Sequence, residues 1–337
     1  MAKKITMQDI ARELNISKNS VSQALSGKPG VSEETRQLIK TKAEELGYQY
    51  SIAKKQNQAN HSGNIALIAS DLAFSLNFFG DIYLTIEKEV NQRGMNLLIQ
   101  SIDDHTRDHL SLPSFVQDRS VSGIIILSHI STDYINRIID TGIPTVLIDH
   151  HHPLNPADAI LINNRFAAFK AVHHLINLGH KQIGFLGDVN RSPSYQERYE
   201  GFLLALKDNN VKLNNKFVIT EVKESGEGVG QSIDKLDALP TAWFCTNDGL
   251  GFFLLTNLQS KGINVPADVS VCSFDNGQLS RISNPKTTTM NVDLQLYGKK
   301  AIEQLFWRMD HPNDPIQEIL IDSNLIVRES TTTVKNE

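Results

Sequence analysis

The sequence predicts a small all-helical head joined by a polar linker to a larger α/β body of two lobes built on parallel sheets. Three observations carry this expectation. Residues 5–47 repeat apolar side chains at helical spacing in three short runs, residues 48–63 lose that periodicity, and beyond them strand-length apolar runs alternate with amphipathic helical stretches. Strands that are continuously apolar are buried on both faces, which is the pattern of parallel sheets covered by helices. About ten such strands exceed what one open sheet comfortably holds, so two lobes are expected.

In the head, Thr6 followed three residues later by Asp9 forms a capping pair, after which Ile10, Ala11 and Leu14 recur at helical spacing. A turn at Asn15-Ile16 follows. Ser17 is placed to cap a second helix with Val21, Ala24 and Leu25 inward, ended by Gly27 and the loop Lys28-Pro29-Gly30. Ser32 starts a third helix with Glu33 and Glu34 in its first turn, an apolar face of Leu38, Ile39, Ala43 and Leu46, and Gly47 as its stop. The stretch Lys54–Asn60 is polar and aperiodic, which marks the linker.

The body reads as strands at 65–68, 97–99, 124–127, 145–148, 183–186, 217–221, 241–245 and 269–274. Helices are expected at 77–93, 132–140, 164–178, 195–209, 229–238 and 248–260. Neither an internal repeat nor a low-complexity segment interrupts the series.

With 40% hydrophobic and 21% charged residues, the composition excludes disorder, collagen and small disulfide scaffolds. No apolar run reaches the ~20 residues of a membrane span, and Met1-Ala2-Lys3-Lys4 leads into a mixed polar segment unlike a signal peptide. A cytoplasmic location is expected. Cys245 and Cys272 each sit in an apolar strand-like run, where buried, inert thiols are the usual state. The net charge of −5 hides an asymmetry, since residues 1–60 carry ten Lys/Arg against six Asp/Glu, a net of +4, and the remainder carries −9. A basic head on an acidic body points to a head that meets a polyanion.

The second helix presents Lys18, Asn19, Ser22 and Gln23 on the face opposite Val21 and Leu25. Short hydroxyls reach phosphate oxygens, while Asn, Gln and Lys match base edges in the major groove, so this face fits a DNA recognition helix. An enzyme reading competes at Asp149-His150-His151, which resembles the Asp-His-His signature of manganese-dependent phosphoesterases, where a carboxylate and two imidazoles ligate metal. Asp71, Asp103 and Asp104 do not fall into the further aspartate motifs of such enzymes. His105 and His109, one helical turn apart among Asp104, Arg107 and Asp108, read as a solvated helix face. With no nucleophile elbow, phosphate loop or acid/base dyad, neither catalysis, metal nor cofactor is expected.

The segments Thr6–Ala11, Ile16–Gly27, Val31–Arg36 and Ala43–Tyr48 resemble the helix-turn-helix domain of the lactose/galactose repressor (LacI/GalR) family. In the body, Asn77–Phe79, His174–Gly187, Arg198–Phe202, Thr246–Asp248 and Val269–Asn276 follow in that family's order. The resemblance implies residues 1–48 as the DNA-binding domain, 49–62 as a hinge and 63–330 as an effector-binding body similar to type I periplasmic binding proteins. Its N-lobe would take 63–160 and 293–322, and its C-lobe 161–290. It implies a homodimer or larger oligomer that represses a carbohydrate-utilisation operon by binding a palindromic operator, with a sugar-like effector in the cleft. DNA contacts would come from Thr6, Ser17, Lys18, Asn19, Ser20, Ser22, Gln23, Lys54, Lys55 and Asn57. Arg198 would clamp ligand oxygens, Asn247 and Asp275 would bond hydroxyls, and Ser194 would assist.

Two departures stand out. The family's linker commonly reads Tyr-x-Pro-Asn-x-x-Ala-Arg-x-Leu, its leucine wedging into the minor groove, whereas here Tyr50 replaces the proline, Lys55 the arginine and Asn57 the leucine. At Glu224–Gly228 the aromatic that stacks on sugars in many relatives is absent. Phe74, Phe78 or Phe79 are then the candidate stacking platforms.

Overall fold

The computed structural model describes residues 6–25, 30–46, 63–71, 80–128 and 130–334, and it separates into two compact units, 1–62 and 63–337. The head holds helices α1 (Met7–Glu13), α2 (Lys18–Leu25) and α3 (Glu33–Glu45). The Thr6 amide and hydroxyl both donate to the Asp9 carboxylate, at 2.8 and 2.6 Å. Ser17 accepts from the Ser20 amide at 3.0 Å and Ser32 from the Thr35 amide at 3.3 Å, so both expected hydroxyl caps form. Ile10, Ala11, Val21, Ala24, Ile39 and Ala43 make one core, onto which Leu14, Ile16 and Leu46 pack. Arg36 ties α3 to the end of α2 by donating to the Ala24 carbonyl at 2.9 Å. Leu38 departs from expectation, lying 55% exposed. Ile39, Ala43 and Leu46 form the i, i+4, i+7 stripe, and Leu38 is rotated about 100° from it.

In the body, a first sheet runs β11 (Glu318–Ile321), β5 (Asp158–Ile162), β4 (Thr145–Ile148), β3 (Val121–Leu127), β1 (Asn64–Ser70) and β2 (Asn96–Ile102), all parallel. A second runs β12 (Asn324–Ile326), β10 (Thr288–Asn291), β9 (Ser270–Asp275), β8 (Ala242–Cys245), β6 (Ile183–Leu186) and β7 (Val218–Ile219). It is parallel except for β12, which pairs antiparallel at one edge. Both sheets are thus parallel-dominated, as expected, with one antiparallel edge strand. Strand β10 reads Thr-Thr-Met-Asn, so no apolar run marked it, although Thr288 and Thr289 are wholly buried.

The helices are α4 (Gly80–Gln92), α5 (Asp104–Asp108), α6 (Ser114–Gln117), α7 (Thr132–Ile139), α8 (Asn164–Asn177), α9 (Pro193–Asp208), α10 (Gly226–Ile233), α11 (Asp248–Ser260), α12 (Gln278–Ile282) and α13 (Leu294–Asp310). Helix α10 lies earlier than the expected 229–238 because Ser225 caps it, accepting from the Gly228 amide at 3.1 Å. Pro193 opens α9 where a missing N–H costs nothing. Helices α8 and α9 pack closely because Gly201 faces the Arg165 carbonyl, which a Cβ there would approach to 2.1 Å.

The chain crosses between sheets three times: from β5 to α8, from β10 to α13, and from β11 to β12. The second sheet therefore reclaims chain beyond the 161–290 expected for it, and contacts continue past 330, where the Val334 amide donates to the Leu178 carbonyl at 2.9 Å. Cys245 and Cys272 are buried, free thiols on adjacent strands, as expected.

Candidate functional site

Because β6, β7, β8 and β9 run parallel, their C-terminal ends share one edge of the second sheet, and the residues just beyond them converge. After β6 the chain passes close to Thr246, and a Cβ at Gly187 would come within 2.3 Å of that side chain, so glycine is required. Ser192 then caps α9, accepting from the Tyr195 amide at 3.4 Å, and its hydroxyl pairs with that of Ser194 at 2.8 Å. Tyr195 and Arg198, three residues apart, share one helix face. Asn247, following β8, caps α11 by accepting from the Leu250 amide at 2.7 Å. Asp275 ends β9 with φ +108°, a left-handed backbone that a residue with a Cβ holds only under constraint. The constraint is Asp248, which accepts from Ser273, from Thr289 at 2.8 Å and from the Gly277 amide at 2.6 Å.

Arg198, 4% exposed, lies at the centre of this edge. Its Nε donates to Asn164 Oδ1 at 2.9 Å, its Nη1 to the Thr246 carbonyl at 2.6 Å, and the same nitrogen lies 3.3 Å from Asp275 Oδ1. The guanidinium also sits 3.7 Å from the centre of the Phe274 ring. Burial pushes the Asp275 carboxyl well above the usual carboxylate range, opposed by Arg198 and reinforced by Asp248, Asp149 and Glu224. Asp149, beyond β4 of the first sheet, is pushed up to about 6 by burial, with Arg198 opposing. Carboxyls from both sheets thus share the field of one arginine. Glu224 Oε1, Thr246 Oγ1 and Asp275 Oδ1 are buried here without a hydrogen-bond partner, Asp275 Oδ1 keeping only its ion pair with Arg198. Buried polar atoms are rarely orphaned, so three at one place make this a candidate site for a polar molecule from outside the chain.

A chain of bonds links this arginine to the first sheet. His151 lies 2.7 Å from Glu197 on α9 and 3.1 Å from Glu318 on β11. Glu197 also accepts from Asn164 at 3.0 Å, and Asn164 accepts from Arg198. The bond to Glu197 raises the His151 imidazole to about 9 against the effect of burial, with Glu318 adding to it. Burial pushes the Glu197 carboxyl up, but the bonds from His151 and Asn164 more than offset this and hold it low. The result is an imidazolium between two carboxylates, one from each sheet's side of the body.

In the head, Ser17, Lys18 and Asn19 are exposed along the start of α2, and Ser20 bonds the Ser17 hydroxyl at 2.9 Å. Ser22 and Gln23 are half-buried. A Cβ at Gly30 would come within 3.2 Å of the Gln23 amide, so the tip of Gln23 rests against the turn before α3. The exposed groups are donors and acceptors on one helix start, the arrangement that suits a groove of DNA.

Known proteins share both regions. Residues 6–51 match the bacterial regulatory proteins of the lacI family, and residues 172–331 match the periplasmic binding protein-like domain. The chain carries a lacI-family DNA-binding domain followed by a periplasmic-binding-protein-like domain. Among its relatives are the HTH-type transcriptional repressor PurR of Mannheimia succiniciproducens, 26% identical over 98% of this chain and 99% of that one, and the HTH-type transcriptional regulator DegA of Bacillus subtilis, 27% identical over 98% of each. A structure of a LacI family transcriptional regulator from Enterococcus faecium with bound ribose is 25% identical, covers 81% of this chain and 100% of that one, and superposes with a TM-score of 0.70. The chain is therefore a DNA-binding transcriptional regulator with a periplasmic-binding-protein-like body.

Within this periplasmic-binding-protein-like body, the structure brings Arg198, Asn247 and Asp275 together, with Ser194 at the start of the arginine's helix. It narrows two roles. The Asn247 oxygen is committed to the α11 cap, so its amide nitrogen is what faces Tyr195 and, at 3.3 Å, Glu224. The Ser194 hydroxyl is already paired with Ser192. Thr6 uses its hydroxyl on Asp9. Lys54, Lys55, Asn57, Phe74, Phe78 and Phe79 lie outside the described residues. The two histidines of the phosphoesterase reading diverge, His150 bonding Asn155 at 3.0 Å while His151 bridges Glu197 and Glu318. His105 and His109 stack on each other, 4.2 Å apart, on the exposed α5. Tyr195, Asn164, Asp149 and Tyr297 join the site without having been anticipated. Asp149 alone carried a signal, an acid at a strand's C-terminal end.

Proposed function

We propose that this regulator binds a palindromic operator as a homodimer or larger oligomer, in the cytoplasm, and that a sugar-like effector in the body's cleft changes its operator affinity, controlling carbohydrate utilisation. The observation that carries this is the set of unpaired buried polar atoms around Arg198, beyond the C-terminal strand ends of the second sheet. Arginine offers a rigid fork of donors and the carboxyls accept from hydroxyls, which suits a polyol. The ribose in the Enterococcus faecium neighbour supports the sugar reading. The PurR relatives favour a second reading, a purine effector, since a heterocycle also presents N–H donors and ring acceptors.

A ligand acts through its differential affinity for two body conformations. Its contacts here would reach the first sheet through Arg198, Asn164, Glu197 and His151. In the head, Lys18, Asn19 and Gln23 have reach for base edges and Thr6, Ser17, Ser20 and Ser22 lie where phosphates would pass, while the linker's Lys54 and Lys55 would contact phosphates without regard to sequence, beside Asn57. One recognition helix reads few base pairs, and a two-fold dimer doubles the readout at fixed spacing.

Operator selection tests the head. Lys18→Ala and Gln23→Ala should each change base preference at a limited position, at about 1–3 kcal/mol, whereas Ser17→Ala should weaken all sequences alike. Unchanged preference in the first two removes both side chains from the readout. For the body, Arg198→Ala and Asp275→Ala should abolish the effector response and keep ligand-free operator binding. Thermal stabilisation by an effector that survives in both variants places the ligand elsewhere.

A further inference from the structure

Resting on the reading of the cleft as an effector site, we propose that it selects against anions: its ligand is a polyhydroxylated molecule, neutral or amine-bearing, and Glu224 sets this preference by accepting from one of its O–H or N–H donors. Glu224 stands between β7 and α10, its side chain 16% exposed. Its Oε2 accepts from Asn247 at 3.3 Å, while its Oε1 is buried and unpaired. Arg191 lies 3.7 Å from Oε1, beyond hydrogen-bond reach, on a side chain one-third exposed. A carboxylate only accepts, so an open oxygen there asks its ligand for a donor.

The surroundings impose the same demand. Asp275 shares the field of Glu224, Asp149 and Arg198, and the Nε and Nη1 of Arg198 are already engaged by Asn164, the Thr246 carbonyl and Asp275. The crowding is visible in Asp275 itself, whose carboxyl burial and three neighbouring acids push far up. A phosphate or carboxylate entering this space would bring a further acceptor and charge to the Glu224 oxygen, which lacks a donor, and to the Asp275 and Asp149 carboxyls, whose own ionisation burial already opposes. A hydroxyl or an ammonium would satisfy Glu224 Oε1 and Asp275 Oδ1 together.

The test uses the full-length protein and matched sets built on glucose, galactose and ribose: the neutral sugar, its amino, phosphate and uronate forms, plus hypoxanthine and guanine. Melting curves and calorimetry should find stabilisation confined to neutral or amine-bearing members. Glu224→Gln keeps an acceptor for Asn247 but removes the charge, and should narrow the preference for the neutral or amine form over its anionic counterpart by about tenfold. Its ligand-free melting curve reports that it folds. Tightest binding by a phosphate, a uronate or a purine overturns the inference, as does unchanged selectivity in Glu224→Gln or failure of every neutral and amine-bearing member. An anion whose effect is lost in Arg198→Ala would overturn the selectivity and leave the cleft standing. Stabilisation that persists in both Arg198→Ala and Asp275→Ala would overturn the cleft itself.

Discussion

Each lobe of the body is pinned by one buried aspartate, and the two are pinned differently. Asp158 opens β5, at the N-terminal strand end of the first sheet, where Arg308 grips it through two nitrogens at 2.9 and 2.7 Å and Gln304 and the Gln317 amide add bonds at 2.8 Å each. Asp248 stands just beyond the C-terminal end of β8 in the second sheet, and its hydrogen bonds come from neutral donors, two hydroxyls and one amide. Burial accordingly pushes its carboxyl up despite those donors. Away from the site, a fully compensated ion pair serves cohesion. At the candidate site, neutral donors hold the geometry of Asn247 and Asp275 beside Arg198.

The largest expected effect separates the two. Asp158→Ala strands the mostly buried Arg308 charge and should cost about 3–5 kcal/mol in denaturant unfolding, with the effector response of the folded protein intact. A loss under about 1 kcal/mol would reduce the pair to the worth of a surface contact. Asp248→Ala strands only neutral donors, which re-aim in part, and should cost about 1–3 kcal/mol. Unlike the first variant it should abolish the effector response, measured by calorimetry, because the 275–277 turn and the start of α11 lose their common anchor. A retained response would show that the turn stands without it.

The link between the sheets sharpens the comparison through pH. The His151 imidazole is raised from 6.5 to about 9, so the stability it contributes is fully present below about pH 6.5 and is lost as pH rises through about 9. Body stability should fall by about 1–2 kcal/mol across that window, a magnitude discounted for the ring's partial exposure. His151→Gln should flatten the curve, and an unchanged slope would remove the bridge from the energetics. The smallest effect concerns one hydroxyl. Thr289→Val should cost about 1 kcal/mol, within the about 0.5–1.5 kcal/mol expected of Ile126→Val in the apolar first sheet. Only the threonine variant should weaken the effector response, and equal responses would erase the distinction between the lobes.

Legibility followed the range of the interactions involved. The hydroxyl caps at Ser17 and Ser32, the bounds of α11 and the apolar strands β3 and β4 appear in the sequence because each depends on neighbours within a few residues. Strand β10 was invisible, since its threonines are satisfied by Arg328, Ser330 and Asp248, some 40 positions away. Arg198, Asn247 and Asp275 were found through an ordered set of motifs, whereas Asn164 and Tyr195 carried no local mark. Glu224 was noticed only as the place of a missing aromatic.

By itself the sequence determined the three-helix head, its basic charge, the aperiodic linker and the alternation that demands helix-covered sheets. Periodicity, capping and composition act through adjacent turns, so these features need no knowledge of the rest of the chain. Tertiary structure alone decided that Asn164 meets Arg198 across 34 positions, that His151 bridges carboxylates 46 and 167 positions away, and which oxygens are left unpaired. A carboxyl's charge and a hydroxyl's free lone pair depend on what burial removes and what distant chain supplies, and neither is encoded in the residues beside it.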